Sequence, residues 1–245
     1  MLDHYKLKQI SDSLKNEEVY AALGVSAPKG LLLYGEPGVG KSLMANAIIE
    51  ESGRQVFTCR KEKPNGDFIN EIKETFDKAA ENAPSIVYLD DMDKFTNGDE
   101  NHPDAEEYVT VQSCIDRVKE KRVFVLATAN NIRCLPNSLR RVGRFDRKIE
   151  VRAPRGEDAE KIIGHYLENK KYVDGMDART IARIMNGRSC AEIEKYYRKA
   201  KEIISLNIDF VGMVAAALTQ KHILSAVDIN QIKSECTIKR NVSLV

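Results

Sequence analysis

A short segment near the start of the chain has the residue types and spacing of a phosphate-binding loop. Gly35-Glu36-Pro37-Gly38-Val39-Gly40-Lys41-Ser42 fits G-x-x-x-x-G-K-[ST] and lies between an apolar β-like run and a helix-period run. Glycines allow the main chain to wrap around phosphates with its N–H groups pointing inward, in conformations that a Cβ would obstruct. We therefore predict that a nucleotide is bound by Glu36, Pro37, Gly38, Val39, Gly40, Lys41, Ser42 and Leu43.

Four polar residues predict phosphate and metal chemistry. Two lie in this loop, and two follow a later apolar run. Lys41 can reach the terminal phosphates, and Ser42 can offer its hydroxyl to Mg²⁺. The apolar run 85–89 ends in Asp90 and Asp91. We expect Asp90 to hold the Mg²⁺ shell through water, and Asp91 to orient and deprotonate the attacking water. The predicted cofactors are therefore ATP or ADP with Mg²⁺.

Further polar residues follow the next apolar run, at Asn130, Arg141 and Arg144. An amide at the end of a strand can position the water or touch the γ-phosphate, and a fixed guanidinium can neutralise charge on a transferring phosphoryl group. Taken alone, an arginine-rich turn is also typical of a salt-bridged surface. If the two arginines point away from their own nucleotide, they must serve that of a neighbouring subunit.

The elements that must position these residues alternate between the two structural periods. Strand-like runs stand at 31–34, 55–58, 86–89, 123–127 and 148–151, and helix-like runs at 42–51, 67–80, 104–119 and 136–141. This alternation predicts an α/β fold, a five-stranded parallel sheet with helices on both faces. After Pro154 only helices are predicted, at 157–169, 177–185, 190–206, 210–220 and 225–233, with Ser189 or Asp209 as N-caps. We divide the chain into an α/β core, 1–153, and a small all-helical domain, 154–245.

The composition excludes several classes of protein. The 245 residues carry 38 Lys and Arg against 37 Asp and Glu, a formal charge of +1, so no overall field favours nucleic acid or an anionic membrane. No apolar run approaches the roughly 18 residues that span a bilayer. The 5 cysteines lack C-x-x-C spacing, which predicts a reducing compartment and a cytoplasmic location. The charged clusters 60–63 and 119–122 are interpreted as solvated loop surface.

Taken together, these motifs resemble the AAA+ ATPases, in particular the branch that contains the protease FtsH and valosin-containing protein. Residues 14–30 are similar to the segment that leads into the phosphate-binding loop of FtsH-like proteins. Ala83-Pro84-Ser85 opens the acidic strand in their manner. Residues 139–147 resemble the second region of homology of the family, which is specific because it combines residue type with register. The resemblance covers nearly the whole chain.

The resemblance implies roles that the motifs alone leave open. It implies that Asn130 is the sensor-1 residue, that Arg141 and Arg144 are arginine fingers acting across a subunit boundary, and that the assembly is a hexameric ring. It also implies that the helical domain is a lid, in which Ile162 and His165 lie near the adenine and ribose. Ala191, within 187–193, then belongs to the motif that closes over the base.

Three departures from the family pattern bear on function. Asp91 replaces a glutamate, and a carboxylate set back by roughly 1.5 Å, where a misplacement near 1 Å can cost about 100-fold, predicts slow hydrolysis with tight ATP binding. No aromatic residue stands at 63–66 to grip a polypeptide in a pore, and Phe68 is interpreted as core. The chain lacks H-E-x-x-H and the leading Asp-Val-Ala-Gly segment, so we expect a bare ATPase module or a fragment, without zinc protease or membrane anchor.

Two functions remain open at this point. The first is an ATP-hydrolysing module that couples its nucleotide cycle to conformational change in a ring and so remodels a protein partner. The second is a nucleotide-gated scaffold or switch with little turnover. Nucleic acid is a disfavoured partner because the charge is near neutral and no DNA-binding motif is recognised. GTP is disfavoured because no N-K-x-D motif is present to read the base.

Overall fold

The computed structural model describes residues 2–25, 27–62, 67–96, 105–168, 177–206, 214, 217–218, 224–232 and 234. The chain divides into two compact units, Met1–Arg152 and Ala153–Val245. The segment 63–66, Asp209 and most of the predicted helix 210–220 lie outside the described residues. Within the described part of the chain, no helix has the length and apolar character needed to cross a membrane.

The first unit is built on a parallel sheet. Its strands are β1 (Gly30–Tyr34), β2 (Gln55–Cys59), β3 (Ser85–Leu89), β4 (Val123–Ala129) and β5 (Arg147–Glu150), in the order β2-β3-β4-β1-β5. Every neighbouring pair of strands runs parallel. The predicted five-stranded parallel sheet is therefore confirmed.

Helices cover this sheet. They are α1 (Leu2–Lys15), α2 (Glu17–Ala22), α3 (Lys41–Ser52), α4 (Phe68–Glu81) and α5 (Glu106–Val118). Leu32 of β1 joins α4 and α5 in one buried cluster, whereas Leu31 and Leu33 point to the opposite face because side chains alternate along a strand. α3 contacts β1 and β4 and packs against α1. Phe68 packs edge-on against Phe95 with ring centroids 4.8 Å apart, which confirms its interpretation as core.

The two N-terminal helices were not predicted, and α2 buries none of its residues. α1 buries Leu7, Ile10 and Leu14, whereas polar contacts hold the junction of α1 and α2 to the rest of the unit. Arg54, whose side chain is 6% exposed, donates to the Leu14 carbonyl oxygen and to the Glu17 carboxylate, both at 2.7 Å. Arg122 donates to the same carboxylate at 3.0 Å. Glu17 therefore links the N-terminal helices to two separate arginines of the core.

The short helix predicted at 136–141 is wrong, since residues 137–140 form turns. The main-chain N–H groups of Leu139 and Arg140 bond to the carbonyls of Pro136 and Asn137, three residues back. Such bonds close turns without propagating an α-helix. Leu139 is fully buried, and its carbonyl oxygen accepts a hydrogen bond from the N–H of Phe145. Packing of this loop into the core thus outweighs its local helical pattern.

The interpretation of 60–63 and 119–122 as solvated surface is wrong for Lys61. The side chain of Lys61 is only 6% exposed and donates to the Glu107 carboxylate at 3.0 Å. Arg122 also has an anionic partner, Glu17, but its side chain remains exposed, as the interpretation expects. A long side chain can bury its aliphatic stem when the charged head finds an anionic partner, which no charge count along the sequence reveals.

The second unit contains α6 (Gly156–Leu167), α7 (Ala178–Ile184) and α8 (Cys190–Leu206), and residues 226–232 are helical. Its core is formed by Ala159, Ile163, Ala182 and Ile193. The predicted N-cap at Ser189 is confirmed. Its hydroxyl accepts from the Glu192 N–H at 3.3 Å, while its own N–H donates to the Glu192 carboxylate at 2.9 Å. This reciprocal pair is a capping box at the start of α8.

Candidate nucleotide site

The phosphate-binding loop follows β1 directly and leads into α3. Gly35, Gly38 and Gly40 have positive φ values of 148°, 77° and 102°. A Cβ on Gly35 would lie 2.0 Å from the carbonyl oxygen of Val151, so only glycine fits where the chain leaves β1 beside the end of β5. Gly40 is left-handed and caps α3, whose first N–H groups have no partner within the helix. The loop and the helix start therefore provide main-chain donors suited to an anion.

Lys41 begins α3 and is buried inside the loop, with 6% of its surface exposed. Its ammonium donates to the carbonyl oxygens of Gly35 (2.8 Å) and Glu36 (2.9 Å) and to Oδ1 of Asn130 (2.9 Å). Burial lowers the pKa of Lys41, and the charges of three nearby aspartates, Asp91 first, oppose that effect. The loop thus holds a partly desolvated cation at its centre.

The acidic end of β3 is held by hydroxyl groups. Asp90, which is 9% exposed, accepts at Oδ1 from the Tyr88 hydroxyl (2.7 Å) and from Thr128 Oγ1 (2.8 Å). Asp91 is left-handed (φ 54°, ψ 53°), and its N–H donates to the same Thr128 oxygen at 2.9 Å. The Asp91 carboxylate accepts from Lys94 at 2.7 Å. This turn presents two carboxylates in succession, the first buried and the second half-buried.

Asn130 connects the loop to this acidic end. While its amide oxygen accepts from Lys41, its main-chain N–H and its Nδ2 donate to the two oxygens of Asp93, at 2.9 Å and 3.0 Å. Because β4 lies between β1 and β3, the carboxyl ends of three parallel strands meet at one edge of the sheet. The structure thereby brings together Lys41, Asp90 and Asn130, which the motifs in three separate segments of sequence predict to share one site.

The donor atoms at this edge suit a hard cation. Burial and the hydrogen bond to the Asp90 carboxylate raise the pKa of the Tyr88 hydroxyl, and the Ser42 and Thr128 side chains oppose that effect. Among the described residues, no group of three or more His, Cys, Asp and Glu side chains could hold a metal ion alone. A cation at Ser42 and Asp90 would complete its shell with phosphate and water oxygens, as Mg²⁺ does.

The two predicted arginine fingers lie far from the phosphate-binding loop of their own chain. The carbonyl oxygen of Arg144 adjoins Gly30 at the amino end of β1, where a Cβ would come within 2.3 Å of it. β1 extends from Gly30 to Tyr34, and the loop begins at its other end. At about 3.3 Å per residue, the two ends are separated by roughly 13 Å.

Arg144 and Arg141 also differ in their surroundings. The Arg144 guanidinium donates to Asp116 at 2.7 Å, to Gln112 at 3.1 Å and to the Ser138 carbonyl at 2.6 Å. The Arg144 hydrogen bond holds the pKa of Asp116 at about 2. Arg141 is exposed, and its guanidinium has no hydrogen-bond acceptor in the part of the chain that the structure describes. Arg144 is therefore fixed by its own subunit, whereas Arg141 projects into solvent.

Residues 31–153 match the model of the ATPase family associated with various cellular activities (AAA). The chain belongs to the AAA family. The matched range contains the phosphate-binding loop, the acidic end of β3, Asn130 and both arginines. The resemblance predicted from the motifs is therefore confirmed, and family membership supports ATP-dependent activity for this AAA chain.

Three relatives of this AAA chain are similar over most of its length. Protein SAV of Sulfolobus acidocaldarius is 32% identical over 204 residues, 80% of this chain and 26% of that protein. The Cell division cycle protein 48 homolog of Archaeoglobus fulgidus is 32% identical over 199 residues, 76% of this chain and 27% of that protein. The ATP-dependent zinc metalloprotease FtsH 2 of Phytoplasma mali is 31% identical over 203 residues, 77% of this chain and 29% of that protein. The AAA chain thus spans under a third of the length of each relative.

The three site residues predicted in the second unit lie on α6 and α8. Ile162 packs partly buried against the core of that unit. The His165 side chain is 79% exposed, with Nδ1 3.8 Å from the Glu168 carboxylate. Ala191 lies exposed in the first turn of α8. Contacts of these residues with a nucleotide remain a prediction.

Four residues at the site were not singled out from the sequence: Tyr88, Thr128, Asp93 and Arg60. Tyr88 stands two residues before Asp90, and Thr128 two before Asn130, so each pair shares a face of its strand. This alternation is a signal that could have found them. Arg60 directly follows β2, and its guanidinium lies 3.4 Å from Oδ2 of Asp90. Its position shortly after the predicted strand 55–58 was the equivalent signal.

Proposed function

We propose that this chain binds ATP with Mg²⁺ between the phosphate-binding loop and the acidic end of β3, hydrolyses it slowly, and drives conformational change in a ring that remodels a protein partner. The observation that carries the proposal is the hydrogen bond from the buried Lys41 ammonium to Asn130, next to Asp90 and Asp91. A cation, an amide and two carboxylates on one sheet edge are the groups that phosphoryl transfer to water requires.

Each residue of the site has an assigned role in this proposal. The main-chain N–H groups of the loop, from Glu36 to Leu43, hold the phosphates, and Lys41 binds the terminal ones. Ser42 provides a hydroxyl to Mg²⁺, and Asp90 holds the ion through water. The ion supplies positive charge that neutralises the phosphate oxygens. Asn130 orients the attacking water.

Asp91 is the proposed general base, and its geometry supports slow turnover. Asp91 adopts a left-handed conformation in the turn after β3, and its short carboxylate accepts a hydrogen bond from Lys94 at 2.7 Å. A general base must reach to within about 3 Å of the water proton. The Asp91 side chain is shorter than glutamate and is held by an ammonium, so its carboxylate reaches the attacking water less often. We therefore expect bound ATP to be hydrolysed slowly.

The arginines are proposed to complete the site of a neighbouring copy in a hexameric ring. Arg141 is exposed, and Arg144, whose carbonyl oxygen adjoins the amino end of β1, is fixed by Asp116. A guanidinium held in place loses little reorganisation energy when charge develops on the phosphate. Ile162, His165 and Ala191 are proposed to contact the adenine and ribose, with the second unit acting as a lid. The proposed location is cytoplasmic.

The second candidate function is a nucleotide-gated switch with little turnover. The Asp91–Lys94 ion pair favours it, because a general base occupied by a cation keeps ATP bound and intact. Single-turnover hydrolysis separates the two functions. A rate that rises on assembly and falls in Arg144→Ala supports the ATPase motor, whereas a slow rate independent of assembly supports the switch.

The proposal is tested by calorimetry with ATP and Mg²⁺ on the wild type, Lys41→Ala and the control Lys78→Ala. Lys78 is an exposed lysine on α4 that pairs only with Glu74 among the described residues. We expect Lys41→Ala to lose at least about 100-fold in affinity, since one charge-assisted contact to phosphate is worth several kcal/mol when desolvated. Light scattering with nucleotide then reports the ring. A wild type without heat of association contradicts the proposal.

A further inference from the structure

The strand that carries the acidic residues contains a buried hydroxyl. Every residue of β3 is buried, and Tyr88 is 6% exposed. A buried hydroxyl requires a hydrogen-bond partner. That of Tyr88 donates to Oδ1 of Asp90 at 2.7 Å. Tyr88 therefore holds one oxygen of a carboxylate that is proposed to bind the Mg²⁺ shell.

A second buried hydroxyl, from β4, reaches the same oxygen. Thr128 is fully buried and donates from Oγ1 to Oδ1 of Asp90 at 2.8 Å. It also accepts the N–H of Asp91 at 2.9 Å, so it fixes the main chain of the acidic turn. Oδ2 of Asp90 is left facing the half-exposed Arg60 guanidinium, 3.4 Å away. The two oxygens of one carboxylate thus have different surroundings.

We infer that Tyr88 and Thr128 are positioning residues that reserve Oδ1 of Asp90 for the protein and direct Oδ2 toward the Mg²⁺ shell. Hydrogen bonds from hydroxyls to a carboxylate are charge-assisted and short, as the two distances here are. Groups that orient a metal-binding side chain in this way set the affinity for the ion as strongly as some direct ligands. The inference rests on the proposed function, because it assigns the metal to Asp90 and Ser42.

The test compares Tyr88→Phe and Thr128→Val with Thr128→Ser and Tyr108→Phe. Tyr108 is the matched control, a buried tyrosine whose hydroxyl donates to the Met92 carbonyl at 3.1 Å and not to the Asp90 carboxylate. Calorimetry measures ADP affinity in EDTA and over a Mg²⁺ titration. We expect Tyr88→Phe and Thr128→Val each to raise the Mg²⁺ concentration for half-maximal enhancement by about 10-fold or more. Affinity in EDTA should stay within about twofold, since the phosphate-binding loop is untouched.

The controls separate a positioning role from simple packing. Thr128→Ser keeps the hydroxyl and should retain the Mg²⁺ dependence of the wild type, as should Tyr108→Phe. An unchanged Mg²⁺ dependence in both Tyr88→Phe and Thr128→Val, or an equal loss of affinity in EDTA, overturns the inference. These outcomes differ from failure of the proposed function, in which the wild type itself binds no ADP or Lys41→Ala binds it equally well.

Discussion

The Lys41 ammonium and the Asn130 amide oxygen are joined by a 2.9 Å hydrogen bond, although 89 residues separate them along the chain. Asp93 holds the other side of Asn130 through two further hydrogen bonds. The side-chain amide of Asn130 is therefore oriented from both ends, by the Lys41 ammonium on its oxygen and by the Asp93 carboxylate on its Nδ2.

This arrangement predicts a graded loss of hydrolysis. Asn130→Ala should lower kcat by about 100-fold with little change in KM, because a preoriented polar group acts mainly in the transition state. Asp93→Ala should lower kcat by about 10-fold, since it acts only through Asn130. Steady-state ATPase assays measure both, and Asn131→Ala, next in sequence, is the control. Equal loss of kcat in Asn131→Ala and Asn130→Ala would falsify the assignment.

Changes at Asp91 test the proposed general base. Asp91→Glu should raise the single-turnover rate by about 10- to 100-fold, because the longer side chain closes a gap of roughly 1.5 Å and a misplacement near 1 Å can already cost about 100-fold. Asp91→Asn should lower it by at least about 10-fold. Lys94→Ala should raise it by no more than about fivefold, since an exposed ion pair is worth at most about 1 kcal/mol. No change in either Asp91 variant removes this residue from the mechanism.

Mixing two inactive variants tests whether Arg141 acts on a neighbouring subunit. Arg141→Ala keeps its own nucleotide site but lacks the exposed guanidinium, and Asp91→Asn keeps the guanidinium but lacks the base. We expect each to be inactive alone and the mixture to recover a measurable share of wild-type ATPase activity, because mixed interfaces contain one complete site. Arg133→Ala, an exposed arginine on another turn, should be active by itself. A mixture as inactive as its parts indicates action within one subunit.

The pair Arg144–Asp116 predicts a dependence of stability on pH. The Arg144 hydrogen bond holds the pKa of Asp116 at about 2, below its ordinary 3.8. A carboxyl whose pKa is lower in the folded state stabilises the fold above its unfolded pKa, and that contribution is lost as the pH falls from about 4 to 2. In Arg144→Ala the Asp116 pKa should rise toward 3.8, as an NMR titration measures. The same rise in Arg141→Ala contradicts the pairing.

Glu17 is predicted to hold the N-terminal helices on the core. Glu17→Ala leaves the buried Arg54 short of an acceptor and should lower the free energy of unfolding by about 1–3 kcal/mol. Glu18→Ala is the matched control, because that carboxylate is 88% exposed and its contact with Arg122 is long, at 3.9 Å. Its effect should stay within about 0.5 kcal/mol. Chemical denaturation measures both, and equal effects argue against a role for Glu17.

Much of the sheet and of the phosphate-binding loop could be predicted because their signals are local. Glycine spacing, the start of α3 and the strand that ends in Asp90 all lie within short segments of sequence. α8 was predicted at 190–206 and is observed at Cys190–Leu206, since a capping serine marks its start. Where a motif, a period and a cap agree, tertiary contacts have little to override.

The missed features depend on contacts between distant segments. α2 buries no residue, so no apolar period marks it, and it is held by Glu17 through arginines far along the chain. The hydroxyls of Tyr88 and Thr128 both reach Oδ1 of Asp90 because β3 pairs with β4, which places Tyr88 opposite Leu126. Sequence alternation gives the face of each strand, and the pairing partner comes only from the assembled sheet.

The spacing of Thr128, in β4, and Asn130, directly after this strand, has a consequence for how the site can fail. One residue separates them, so the alternation of the extended chain directs both side chains to the same side. Deleting or inserting a single residue upstream in β4 would reverse that face and turn both away together. Such a protein would keep every nucleotide-binding motif in its sequence. It would nevertheless lose the Thr128 hydrogen bond to Asp90 and the Asn130 hydrogen bond with Lys41 together.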